Sequence, residues 1–138
     1  MSPAKGIVIS VAIELEIDTE SGVVFSHASG RVTDKDLLEH HRRIEEDPDF
    51  DPSMNHLFDF MQVESVDLSP EGIRALASRN PFSADSRRAL VADHSNPLLF
   101  GMLRMYEAWC DQNTDKMRVQ YDHLDEGRRW VMGDEVSE

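Results

Sequence analysis

The chain opens on an alternation of apolar and polar side chains. Across residues 7–17, IVISVAIELEI, the apolar Val11, Ile13, Leu15 and Ile17 come to alternate with Glu14 and Glu16, the period of a half-buried strand. Asp18–Gly22 carries turn residues and Val23–Val32 returns as a second strand, so the short link predicts an antiparallel hairpin. The period then changes. Thr33 suits a helix N-cap, Asp34 and Asp36 complement the helix dipole, and Leu37, Leu38, His41 and Ile44 fall near one face of a helix running to about Glu46. Pro48 and Pro52 forbid its continuation.

Farther along, the short apolar run His56–Met61 predicts a buried central strand. Ser69-Pro70 places a cap before a proline at the first helical position and opens a second helix. Arg87–Asp93 reads as a strand, and Asn96-Pro97 begins a long helix to about Gln112. Met117–Tyr121 is a last strand and Asp125–Met132 a last helix carrying Trp130. The order ββαβαβαβα predicts an α/β fold: a mixed sheet with right-handed parallel crossovers, helices packed against it, and an antiparallel N-terminal hairpin. Residues 1–138 contain no internal repeat, linker or low-complexity segment, so one domain is expected.

Charge narrows the partners. Asp plus Glu number 27 against 14 Lys plus Arg, for a formal net charge of −13. A field of that sign repels phosphate backbones, so no nucleic-acid partner is expected. The single cysteine, Cys110, excludes an intrachain disulfide, and beside Trp109 it reads as a small core residue. That usage suits a reducing, cytoplasmic setting. Residues 1–6 carry no apolar signal region, and nowhere does an apolar run approach the ~20 residues of a membrane span.

Gly30–Leu37, Leu57–Phe60 through Gly72–Leu76, and Arg118–Tyr121 with Asp125–Trp130 together resemble the SpoIIAA-like superfamily, which includes the STAS domains. Gly30–Leu37 is similar to the glycine-x-hydrophobic-threonine-x-x-aspartate entry into the first helix of that family. Leu57–Phe60 through Gly72–Leu76 is similar to its strand, loop and second helix, and Arg118–Tyr121 with Asp125–Trp130 to its ending. The resemblance implies a noncatalytic regulatory or protein-interaction module. STAS anti-sigma-factor antagonists are switched by phosphorylation of a serine in an Asp-Ser-Ser-Gly loop before the second helix. The matching stretch here is Ser69-Pro70-Glu71-Gly72. Aligned on the glycine, Pro70 takes the phosphorylated position and Ser69 that of the aspartate, leaving Ser69 as the serine to modify. The related CRAL-TRIO lipid-transfer domains add an apolar ligand to the expectations.

Parallel α/β sheets bind ligands at the carboxyl ends of their strands, where this chain is expected to offer Asp59, Ser69, Asp93-His94-Ser95 and Asp122-His123. The helices beginning at Ser69 and Asn96 aim free N–H groups at the same rim, suiting an anion. Ser69, His94 and Asp122 have the residue types of a hydrolase triad, but no G-x-S-x-G elbow is present, and turn and cap roles account for them. The six histidines show no H-x-x-x-H spacing, and adjacent His40 and His41 diverge by about 100° on a helix, so no metal site is expected. Asp47, Asp49 and Asp51 mimic a calcium loop, yet Pro52 and Phe58 stand where it needs glycine and glutamate. The helix over Leu98–Trp109 has more apolar width than one face requires. Its Met102, Met105 and Tyr106 are expected to line either a pocket for an apolar ligand or a homodimer seam. The reading is a noncatalytic module with a protein partner and no cofactor. A carrier or sensor of a small apolar or anionic ligand stands second, and a small hydrolase third.

Overall fold

The computed structural model describes residues 12–111 and 113–133. They form a five-stranded sheet in the order β1-β2-β3-β4-β5, flanked by four helices. The strands are β1 (Ile13–Asp18), β2 (Val23–Thr33), β3 (Asn55–Asp67), β4 (Arg88–Ala92) and β5 (Met117–Tyr121). The helices are α1 (Asp34–Glu46), α2 (Pro70–Ser78), α3 (Pro97–Trp109) and α4 (Leu124–Val131). β1 and β2 are the expected antiparallel hairpin, with Ile13 opposite Ala28 and Asp18 opposite Val23. The remaining pairs are parallel. The first part of the predicted first strand, residues 7–11, lies outside the described residues.

Each crossover advances one strand in the same direction, so α1, α2 and α3 share one face of the sheet. Leu37 of α1, Ile73 and Leu76 of α2, and Leu99 and Leu103 of α3 join Phe58, Phe60 and Leu90 of the sheet in one core cluster. Complete burial of a side chain such as Phe60 is worth about 2–3 kcal/mol. α4 alone takes the opposite face, packing Val131 and Leu124 on Val23, Leu57, Ala89 and Val91. That arrangement explains why β4 is buried throughout while β1 alternates.

The helix starts are fixed locally. Thr33 accepts from the Asp36 N–H at 3.2 Å while Asp36 accepts from the Thr33 N–H at 2.9 Å, a reciprocal capping box. Ser69 and Asn96 cap α2 and α3 as expected, each followed by proline. α3 stops at Trp109 rather than near Gln112, with Cys110 as its cap; Gln112 itself lies outside the described residues.

One element departs clearly from expectation. β3 runs 13 residues to Asp67, well past Met61. Its second half pairs only with the end of β2, from Ser29–Gln62 to Thr33–Asp67. Two register shifts interrupt that pairing, and Gly30, with φ +68°, lies at one of them. Positive φ at a strand irregularity is where glycine costs least. Once off the main sheet, this ribbon has a solvent-facing side. Polar Gln62, Glu64 and Ser65 are therefore compatible with strand, although they break an apolar run.

Candidate functional site

The expected site residues fall into separate groups. Asp59 is not at a strand end but inside β3, on the α4 face. Its carboxylate accepts from the Met61 N–H at 2.8 Å and stands 3.0 Å from Nδ1 of His27, its register partner on β2. The pair borders an open groove of about 370 Å³ with Glu14, Glu16, Phe25 and Arg128. Ser69 is at the other end of α2's approach. Its hydroxyl donates to Asp34 at 2.7 Å and accepts from the Gly72 N–H at 3.0 Å. A Cβ at Gly72 would overlap the Asp34 carboxylate, so any larger residue there would have to displace Asp34 and loosen this latch.

The rim does bring part of the expected set together. The Asp122 carboxylate accepts from the His94 N–H at 3.1 Å and lies 3.2 Å from His94 Nδ1. Asp93, His94 and Asp122 offer ligand atoms within 4.8 Å of one another, close enough to share a cation. Asp93 also accepts from the Ser95 N–H and hydroxyl. Asn96 caps Leu99, and Asp122 and His123 both hold positive φ, 59° and 58°, at the turn into α4. Ser69 bonds into none of this, so the triad residue types do not assemble. Met102 and Met105 are half-buried props of the core, whereas Tyr106 enters it fully.

The densest chemistry is elsewhere, beneath the three helices. Arg88 is 1% exposed and His40, His56 and Ser26 are likewise buried. Arg88 Nη2 lies 3.4 Å from His56 Nδ1, Ser26 Oγ lies 2.9 Å from His56 Nε2, and Ser26 Oγ lies 2.7 Å from His40 Nε2. Arginine can only donate, and that fixes the direction of the chain. His56 therefore accepts at Nδ1 and donates from Nε2 to Ser26, and Ser26 donates to Nε2 of His40. His40 is left with its proton on Nδ1, an atom that is buried without a partner.

His41 donates from Nδ1 to the Leu37 carbonyl at 3.1 Å, which frees Nε2 to accept from the Tyr106 hydroxyl at 3.5 Å. Burial, reinforced by neighbouring positive charge, holds all three histidines neutral. Desolvation and then His41 and arginine charges push His40 well below its ordinary range, desolvation and Arg88 do the same to His56, and desolvation and Arg88 lower His41 to about 4. Burial also pushes up the Tyr106 hydroxyl and the Cys110 thiol beside it.

Arg88, His41 and Tyr106 form the polar wall of an interior pocket otherwise lined by Leu37, Phe58, Phe60, Leu103 and their neighbours, with about 20 Å³ of free space. His41 also borders an outer groove of about 480 Å³ between α1 and the end of α2, with Lys35, Leu38, Arg42 and Arg79. Sequence reasoning missed this cluster, although a signal existed. Leu37, His40, His41 and Ile44 follow the i, i+3, i+4, i+7 spacing of a buried stripe, and β4 begins with an arginine, Arg88, although it is buried on both faces.

The described residues contain no helix long and apolar enough to cross a membrane. No family model matches the chain, and no curated protein does so either.

Proposed function

We propose that this chain is a noncatalytic binding domain of SpoIIAA-like type that carries or senses a small ligand between its sheet and the helices α1–α3. The sequential sheet with three helices on one face supports the family reading. The observation that carries the ligand reading is His41, whose ring borders both the interior pocket and the outer groove, so that one side chain stands between solvent and the core. Small-ligand sites have this character, an apolar chamber with a few polar groups at one end. Native mass spectrometry of gently purified protein, paired with a denaturing spectrum, tests it. The expected result is a noncovalent mass that vanishes on denaturation and is reduced in Leu103→Trp, which fills the chamber. A bare protein mass together with no uptake of any added apolar probe would count against the reading.

A regulatory contact with a protein partner is the second reading. It is favoured by the half of the sheet that α4 leaves uncovered, where exposed Glu14 and Glu16 flank Phe25. A partner for that surface carries basic and apolar side chains. Reversing both charges, Glu14→Lys with Glu16→Lys, is expected to abolish such binding while leaving the fold intact. Unchanged affinity would remove this surface from the proposal.

A further inference from the structure

Resting on the ligand reading above, we infer that Arg88 is the anion-holding group of the interior pocket, and that the ligand is a small monoanion with a short apolar body, the chemistry of an alkanoate. Among the described residues no carboxylate lies within ion-pair distance of Arg88, in a chain with 27 acidic side chains. Its neighbours are neutral. Asn80 accepts from Nη1 at 3.0 Å, His56 from Nη2 at 3.4 Å, and the rings of Phe82 and Tyr106 lie 4.6 and 5.3 Å from the guanidinium carbon. Nε is buried with no partner. Stacking on aromatic faces offsets part of the cost of a buried cation, but a guanidinium out of water normally has an anion beside it.

The hydrogen-bond chain from Arg88 through His56 and Ser26 ends on His40 with a second unpartnered donor, Nδ1–H. His40 does not line the pocket, but Arg88 does, and a buried guanidinium with an orphan donor and no charged acceptor calls for a ligand that only accepts, which is an anion. The other walls, including Leu37, Phe58, Ile73 and Leu103, exclude a multiply charged anion, which they could not solvate. Free space of about 20 Å³ admits a head group and little more. An alkyl body would therefore displace the ring of His41 and extend along Leu38 in the outer groove. A carboxylate on a short chain and a free inorganic monoanion share the chemistry that Arg88 reads, and the test separates them.

The experiment uses the full chain in a gluconate buffer, whose polyhydroxylated body the apolar walls of the chamber do not accept. Octanoate, 1-octanol and sodium chloride are added at matched ionic strength. Binding is followed by the melting temperature and by the Arg88 Nε–Hε resonance in nitrogen-15 spectra. We expect octanoate to move that resonance saturably and to bind about tenfold or more tightly than 1-octanol, the usual size of a charge-assisted hydrogen bond. Arg88→Met should erase that preference and still bind the alcohol. It removes an unpaired buried charge while keeping an apolar stem, at the cost of the hydrogen bonds to Asn80 and His56. The resonance measurement needs only the wild-type protein, so it decides the question even if the variant does not fold. A response to chloride equal to that of octanoate would keep the anion site and name an inorganic occupant. Equal binding of octanoate and 1-octanol with an unmoved Arg88 resonance would overturn the anion assignment and leave the pocket standing. If none of the three probes binds, both the assignment and the ligand reading fall.

Discussion

Acid should unfold this protein earlier than its carboxylates alone would require. His40, His41 and His56 are buried and neutral in the folded chain, each with its affinity for a proton lowered from an ordinary value of 6.5, His41 to about 4. In the unfolded chain the three rings take up protons as pH falls through 6.5, whereas in the folded chain they do not. The unfolded state then binds more protons, so the stability is complete above about 6.5 and is lost as pH falls toward the folded values. For His41 the full difference, 6.5 to about 4, corresponds to about 3 kcal/mol. At pH 5 His41 alone contributes a loss of about 2 kcal/mol, against a typical domain stability of about 5–15 kcal/mol, and His40 and His56 add to it in the same direction. Ordinary carboxylates have scarcely begun to titrate there, so the interval from 6.5 to 5 isolates the histidines. Urea unfolding followed by far-UV circular dichroism at half-unit steps from pH 7.5 to 5.0 measures the slope. The expected slope exceeds about 1 kcal/mol per pH unit at the lower end from His41 alone, and His40 and His56 steepen it. A urea midpoint that stays constant down to pH 5.5, or ring-carbon resonances of His40 and His56 that titrate near 6.5, would refute the reasoning.

Other outcomes follow from the same packing. Gly72→Ala places a methyl group on the Asp34 carboxylate and should cost about 1–3 kcal/mol in urea unfolding. Much of that should be recovered in the double variant with Asp34→Ala, and full additivity would dissociate the two positions. Ser69→Ala removes the α2 cap and the Asp34 bond, with an expected loss of about 1 kcal/mol or somewhat more; a value within 0.5 kcal/mol of zero would show the cap to be dispensable. Phe60→Ala opens a cavity in the face beneath the helices and should cost about 3–5 kcal/mol. The Cys110 thiol, 9% exposed and pushed up by burial, should react with a thiol reagent only as fast as the chain opens, so its rate should rise with urea in parallel with unfolding. Fast labelling in native buffer would contradict that placement.

The local signals in the sequence carry far. The hairpin, the caps at Thr33, Ser69 and Asn96, and the strand over Met117–Tyr121 are each written within a few residues, because a cap or a turn is an interaction between near neighbours. The alternation of elements also determines an α/β mixed sheet, since a strand can meet a parallel neighbour only through a crossover. The extension of β3 is less legible. Whether Gln62–Asp67 is strand depends on a partner 30 or so residues away, and the exposed ribbon obeys no apolar period.

The candidate site is still more a product of tertiary structure. Asp93, His94 and Asp122 stand close because β4 and β5 are neighbours and end at one rim, while Ser69 is committed to Asp34 across the first turns of two helices. Sequence places His40, Ser26, His56 and Arg88 on four different elements with ordinary spacing in each. Only the parallel register of β2, β3 and β4 points Ser26, His56 and Arg88 to the same face and lowers α1 onto them with His40. Residue types determine which groups can donate or accept. Burial decides which of them lose water, and with it whether an arginine is a solvated surface charge or an unmatched cation in the core.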